Sequence, residues 1–363
     1  MGWRAALGDL RNRLVGDPGF RRWAKGFAPT RGVARKSARE LFDLTAGFVY
    51  SQTLLACVQT DLFEFLKDGP QSLDAIARHA DLPGPGAERL AEAAAAIELL
   101  ERRGDGHYAL GRLGAPLVAE PGLAAMIAHH RLLYEDLTDP LAVLRGQADG
   151  KLAAYWGYGR EDRQAGETGS YSELMAATLP MVADEVFAAV DPRKAERLLD
   201  VGGGEGAFLI EAARRAPGLD LALFDLPGVA ERAKARLARE GLADQAQVHA
   251  GSFLDDSLPA GADLISLVRI IHDHSDADVM ALLRACRAAL EPGGTLIVAE
   301  PMSGASGAAP MGEAYFGFYL MAMGRGRPRT AERLAGMLRE AGFTSVRRHR
   351  ARMPLIAGVL TAR

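Results

Sequence analysis

The stretch Arg197–Asp225, RLLDVGGGEGAFLIEAARRAPGLDLALFD, decides the fold of this 363-residue chain. Leu198–Val201 is a short apolar run of the kind a buried parallel strand shows, and Gly202, Gly203, Gly204 and Gly206 follow at once. A turn without side chains lets a ligand approach bare backbone. Ala207–Arg215 then resumes helical spacing, so that N–H groups at a helix start face whatever binds. Leu219–Phe224 reads as a second strand ending on Asp225, about 23 residues after the first glycine, where nucleotide-binding βαβ units grip a ribose diol.

Two cofactor classes fit this geometry, because Gly202, Gly204 and Ala207 also satisfy the relaxed dinucleotide pattern G-x-G-x-x-A. Charge separates them. Asp200 and Glu205 bracket the glycines and no Lys or Arg lies between Leu198 and Glu211, so a pyrophosphate would face two carboxylates in a confined turn. S-adenosylmethionine (SAM) carries no phosphate, and its ammonium and sulfonium suit those acids.

With 48% hydrophobic and 25% charged residues, the chain can bury a large core and is expected to form two domains. A net charge of -3 argues against bulk affinity for nucleic acid. Cys57 and Cys286 lie far apart in apolar helical contexts, which fits a reducing compartment and neither a disulfide framework nor a zinc cluster. No run of 18 uninterrupted apolar residues occurs and the N-terminus is charged, so a cytoplasmic location is expected. Residues 1–39 form a basic arm: ten Lys or Arg stand among Trp3, Phe20, Trp23 and Phe27. Such an arm suits an anionic membrane surface, and equally a solvated or dimer-packing role.

Residues 40–66 carry apolar side chains at helical spacing on more than one face, as an interface element would. A short helix from Ser72 to His79, a PGPG turn at 83–86, a longer helix from Ala87 to Arg102 and a turn at Gly104–Tyr108 then predict a winged-helix-like domain over 40–115. The second helix, AERLAEAAAAIELLERR, is too acidic to neutralise phosphates or read base edges, so close helix packing is its expected use. Linking helices over 116–190 follow, broken by a polar loop at Gly157–Ser170; the adjacent His129 and His130 diverge by about 100° and cannot share a metal.

From 191 to 363 strand and helix alternate, with seven candidate strands: Arg197–Val201, Leu219–Phe224, Ala246–Ala250, Asp263–Arg269, Gly294–Glu300, Ser345–Arg350 and Leu355–Thr361. This pattern predicts an α/β fold, a Rossmann-like, doubly wound and mostly parallel sheet with ligands at the carboxyl ends of its strands. His272 and Asp273 fall just past the fourth strand and Glu300 at the end of the fifth. His272 reads either as a surface histidine or, by its coincidence with the cofactor edge, as a general base; Glu300 reads as an exposed acid or as the carboxylate that fixes the imidazole tautomer.

The motifs DVGGGEG, FDLPGV, HDHSD, AEP and GRPRT, in this order and spacing, resemble the SAM-dependent O-methyltransferases of the plant caffeate and acetylserotonin type over about residues 40–363. FDLTAGFVYSQTLLACV, GHYALGRLG and PMGEAYFGFYLMAMGRGRPRT narrow the likeness to the bacterial 1-hydroxycarotenoid O-methyltransferases of spheroidene synthesis. The resemblance implies a homodimer, SAM as cofactor without a metal, His272 as catalytic base and Glu300 as a flanking acid. It implies Asp200, Gly202, Gly204, Asp225, Ser252, Phe253, Val268 and Arg269 as the SAM contacts, with Asp225 on the ribose and Ser252 and Phe253 at the adenine. His274 stands in place of the family's usual tryptophan, Ser252 of an aspartate, Val268 of a lysine and Pro328 of a second flanking glutamate.

The implied substrate is a tertiary alcohol at the end of a long polyene. Met126, His130, Tyr134, Met175, Met311, Tyr315, Phe318 and Tyr319 are expected to line its pocket, since methionine and aromatics adapt to irregular apolar ligands. Two further readings stay open: the same chemistry on another lipophilic hydroxyl or phenol, such as a polyketide or quinone, and a non-enzymatic regulator with a winged helix for DNA and the sheet as sensor.

Overall fold

The computed structural model describes residues 3–147, 150–156, 165–305, 310–354 and 356–363, side chains of 4, 156 and 165–173 excepted. The chain divides into two compact units, Met1–Glu120 and Pro121–Arg363.

The first unit opens with helices α1 (Trp3–Gly16), α2 (Pro18–Gly26) and α3 (Ala28–Gln59), the last running unbroken through residue 40. By length and composition alone α3 could cross a membrane, yet its C-terminal end is tied down, with Thr53, Leu55 and Cys57 buried. Strand β1 (Gln71–Ser72) leads into the helix Leu73–His79, where the Ser72 hydroxyl accepts from the Ala75 N–H at 3.3 Å, as its N-cap position predicts. The PGPG segment is not a free turn but the first turn of the helix Gly84–Ala96, since Pro at a helix start loses no hydrogen bond. That helix stops at Ala96 and not at Arg102. Glu98 takes a left-handed φ of 61° and the chain turns into β2 (Leu100–Arg102), which pairs antiparallel with β3 (His107–Leu110). Ala87, Ala91 and Ala94, three and four apart, are fully buried in the unit's core, so this helix packs by its small face.

The second unit is a seven-stranded sheet of order β6-β5-β4-β7-β8-β10-β9. Its strands are β4 (Arg197–Val201), β5 (Asp220–Asp225), β6 (Ala246–Ala250), β7 (Ala262–Val268), β8 (Leu290–Glu300), β9 (Val346–Arg348) and β10 (Gly358–Ala362). Six run in one direction, and β10 alone is reversed, pairing antiparallel with both β8 and β9. The α/β expectation therefore holds: Arg197–Val201 and Ala246–Ala250 fall as expected, and the other strand boundaries shift by no more than four residues. Of the expected polar loop Gly157–Ser170, residues 157–164 lie outside the described residues, and Ala165 already begins the long helix Ala165–Ala189; the expected strand start Leu355 also lies outside them.

One face of the sheet buries Leu282, Leu283 and Cys286 of the helix Asp276–Ala289 with Leu334, Met337 and Leu338 of the helix Ala331–Glu340. The other buries the helices Ala165–Ala189, Ala207–Arg215 and Pro227–Arg239. Strand order reverses between β4 and β7, and the crevice outside their carboxyl ends is where an open α/β sheet binds ligands. Leu283 has no exposed surface in this core, so Leu283→Ala is expected to lower the stability of the second unit by about 2–5 kcal/mol. Thermal melting reads the loss; an unchanged transition would contradict the packing.

Candidate active site

The glycine corner is held from both sides. Gly202 N–H donates to the Phe224 carbonyl at 2.8 Å and Gly204 N–H to Asp225 Oδ2 at 2.8 Å. Gly202 has φ +67°, and a Cβ there would meet Ile270 Cδ1 at 2.6 Å, so the backbone is laid bare by conformation and by crowding alike.

Outside the corner lies a cavity of about 280 Å³. All eight residues expected at the cofactor line it: Asp200, Gly202, Gly204, Asp225, Ser252, Phe253, Val268 and Arg269. Asp273, Arg325 and Met323 line it too, which the sequence reading left out. Burial pushes the Asp200 carboxyl up to about 7, partly countered by the Ser266 hydroxyl donating at 2.6 Å. Burial likewise raises Asp225 to about 6, against the N–H groups of Gly204 and Leu226. Glu205 is compensated by Arg232 at 3.1 Å and Arg236 at 3.8 Å. At the far end the Phe253 ring meets the His274 ring edge-on at 5.0 Å, and burial keeps His274 neutral, its pKa lowered to about 4.

After β7 the chain turns sharply. Arg269 adopts φ 57°, unusual for a residue with a side chain, and its guanidinium donates to Thr178 Oγ1 and the Met175 carbonyl, each at 2.7 Å. The turn is completed by Glu300, 2% exposed at the end of β8. Its Oε1 accepts from Ile270 N–H at 2.9 Å and Ile271 N–H at 2.7 Å, while Oε2 pairs with His272 Nδ1. His272 is buried and lies just behind the cavity wall: Asp273 Oδ1 stands 3.2 Å from Nε2 but makes no hydrogen bond. Burial pulls the imidazole pKa down, yet the Asp273 and Glu300 carboxylates outweigh it and leave the value raised.

The GRPRT segment holds this turn from outside. Buried Arg329 donates to the Ile271 carbonyl at 2.8 Å and the His274 carbonyl at 2.7 Å, and pairs with Asp276 at 2.7 Å. Arg327 N–H donates to the His272 carbonyl at 2.9 Å. A Cβ at Gly326, φ +84°, would sit 2.2 Å from that same carbonyl, so only glycine lets the segment lie this close. Burial alone would raise Asp276; hydrogen bonds from Arg333, Arg329 and Arg327 outweigh it and hold the carboxyl well below the usual range. The clue to this clamp in the sequence was three arginines and two glycines within Gly324–Arg329.

Of the residues expected in the substrate pocket, Met175 alone lines the cavity. Tyr315, Phe318 and Tyr319 gather with Met175 in an apolar cluster around Leu133 and Leu152, which shares Met175 and Met323 with the cavity wall. His130 Nε2 and Tyr315 OH lie 2.7 Å apart, and His130 Nδ1 donates to the Met126 carbonyl; the Tyr134 ring is 6.3 Å from His130. His129, read earlier only as unable to share a metal, is 2.8 Å from Tyr319 OH. Phe316 joins this cluster to the site, its ring 4.9 Å from Tyr315 and 6.2 Å from His272. Met311 lies half-buried in the π-helical turn Pro310–Tyr315.

Residues 134–344 match the O-methyltransferase domain family and residues 42–120 the O-methyltransferase dimerisation domain. The chain belongs to the O-methyltransferase family. Demethylspheroidene O-methyltransferase of Cereibacter sphaeroides is 43% identical to it, over 98% of this chain and 95% of that one. The 3-hydroxy-5-methyl-1-naphthoate 3-O-methyltransferase of Streptomyces sahachiroi is 31% identical over 88% of this chain and 93% of its own. Human N-acetylserotonin methyltransferase, solved in complex with SAM, superposes with a TM-score of 0.75 at 25% identity, covering 90% of this chain and 97% of that one.

This O-methyltransferase uses SAM, and its cavity fits that cofactor: bare backbone at the corner, two buried carboxyls, and no basic side chain between Leu198 and Glu211. Because burial makes ionised Asp200 and Asp225 costly and a cationic ligand relieves that cost, SAM should bind the ionised forms. Its affinity is expected to rise at least about tenfold from pH 5 to 8, by calorimetric titration. Affinity independent of pH would contradict this. Arg329→Lys keeps the charge but not the fork, so kcat is expected to fall by about ten- to a hundredfold with SAM affinity retained. Wild-type kcat in that variant would remove the clamp from the account.

Proposed function

We propose that the enzyme methylates the tertiary hydroxyl of a 1-hydroxycarotenoid of the spheroidene pathway, with His272 as general base and Glu300 as the acid that orients it. The single observation that carries the base assignment is the buried Glu300–His272 pair, which takes up Nδ1 and leaves Nε2 toward the cavity wall at Asp273. The substrate class draws on the 43%-identical demethylspheroidene relative and on the aromatic and methionine cluster beyond Phe316.

Bound SAM supplies an electrophilic methyl group on a sulfonium. In this reading Asp225 accepts from the ribose hydroxyls, while Asp200 and the corner at Gly202 and Gly204 hold the amino-acid end. Ser252 and Phe253 address the adenine, and Val268 and Arg269 close the wall. The aromatic cluster aligns the acceptor oxygen, which is the larger share of the rate: well-oriented pairs gain roughly 7–11 kcal/mol. A tertiary alcohol is a far weaker acid than a phenol. His272 Nε2 therefore takes the hydroxyl proton as the new O–C bond forms and the sulfonium S–C bond breaks, without a free alkoxide, while the Nδ1 proton stays on the imidazole, hydrogen-bonded to Glu300. With its pKa raised, His272 is a base only above the ordinary histidine value of 6.5, so kcat should climb with pH through that higher point.

The dimerisation-domain match supports a homodimer, for which the exposed Leu41, Phe42, Leu44, Phe48 and Val49 of α3 offer an apolar seam, and we place the enzyme in the cytoplasm. A phenolic acceptor is the second reading, favoured by the naphthoate relative. A DNA-binding role has no support: the small face of Gly84–Ala96 is spent in the core, and Arg89 is paired with Glu92 at 3.2 Å. Incubation with methyl-labelled SAM and a panel of hydroxylated carotenoids and phenols tests the substrate, with label expected in the carotenoids; label in phenols alone would replace them. His272→Ala is expected to keep SAM affinity and lose about 10²–10⁴ in kcat, and full turnover in it would refute the base assignment.

A further inference from the structure

Helix α1 turns Trp3, Leu7, Leu10 and Leu14 outward, at 70%, 55%, 54% and 42% exposure. Steps of four, three and four residues keep these side chains on one stripe. At about 100° per residue, Arg11 and Arg13 flank that stripe by roughly 80° on either side. Asp17 then caps α2, its carboxylate accepting from Phe20 N–H at 2.6 Å. The rings of Phe20, Trp23 and Phe27 lie in a row with centroids 5.5 and 4.9 Å apart, the first pair tilted and the second stacked, and Trp23 and Phe27 remain 52% and 45% exposed. Arg21, Arg22 and Lys25 are exposed around them.

An apolar stripe edged by arginines, followed by a row of aromatic rings among bases, is the pattern of a helix lying in a membrane interface. Leucines enter the acyl boundary, aromatics sit at headgroup depth and arginines reach the phosphates. Ten Lys or Arg against Asp9, Asp17 and Glu40 give residues 1–40 a net charge of about +7 in a chain of net -3, which complements an anionic surface. The same charge repels a second copy of the arm, and the dimerisation-domain match begins only at residue 42. A nucleic acid would answer the arginines but leave the leucine stripe without a role.

We propose that α1 and α2 dock the enzyme on an anionic phospholipid bilayer. This does not depend on which acceptor is methylated. The full chain should sediment with phosphatidylglycerol-containing vesicles, less so at high salt, and far less with pure phosphatidylcholine, while tryptophan emission shifts to the blue. Arg11→Glu with Arg13→Glu should weaken vesicle binding at least about tenfold, and Leu7→Ser with Leu10→Ser comparably. Leu144→Ser, an equally exposed apolar residue elsewhere, should change nothing. Unaltered SAM affinity in every variant certifies folding of the catalytic unit. Equal binding to both vesicle types, or stripe variants that bind vesicles normally but shift the dimer toward monomer in ultracentrifugation, would overturn the proposal, the latter making this face a contact between copies.

Discussion

The Glu300 carboxylate, buried at the end of β8, is the constraint on which the rest of the site depends. A carboxylate so far from water is tolerable only if both oxygens are answered, and here two backbone N–H groups take one and the His272 imidazole the other. Those same bonds decide where the chain goes after β7. Ile270 and Ile271 cannot leave the acid without stranding it, so His272 is delivered beside the cavity wall in one tautomer. Arg329 repeats the logic from the opposite side, taking up carbonyls of the turn as Glu300 takes up its N–H groups. The turn is thereby fixed by donors and acceptors on separate strands and loops as well as by its own short 3-10 bonds.

The cofactor edge is built on a different balance. Asp200 and Asp225 are buried carboxyls without a cationic partner of full strength, and their raised pKa values record that deficit. The deficit is what suits a ligand that brings its own positive charge. One site thus holds two kinds of acid: Glu300, satisfied within the protein, and the Asp200 and Asp225 pair, completed by what binds.

Much of this was legible in the amino-acid order, for physical reasons that can be named. The apolar runs and the glycines after Val201 located β4 and the corner, because a strand that ends in bare backbone has few alternative structures. That the eight residues expected at the cofactor would line one cavity was likewise legible, since each lies at or just past a strand's carboxyl end and strand ends share one edge. The boundary of the helix Gly84–Ala96 was not legible, because AERLAEAAAAIELLERR continues helical spacing past the point where pairing with β3 draws Leu100–Arg102 into a strand. That Met175 lines the cavity while the aromatic side chains it packs with do not was hidden for a related reason: side chains three or four apart share a helix face, but spacing does not tell a cavity wall from a packed neighbour. The Arg329 clamp depends on contacts across more than fifty residues of chain, beyond the reach of any local pattern.

The central claim is that Nε2 of His272, freed by the hold of Glu300 on Nδ1, receives the acceptor's proton. A crystal structure with S-adenosylhomocysteine and an unmethylated hydroxylated acceptor tests it most directly. The account predicts the acceptor oxygen within hydrogen-bond reach of Nε2 and in line with the sulfur, with Glu300 still on Nδ1. An acceptor oxygen held by Asp273 or water alone, with Nε2 turned away, would contradict it.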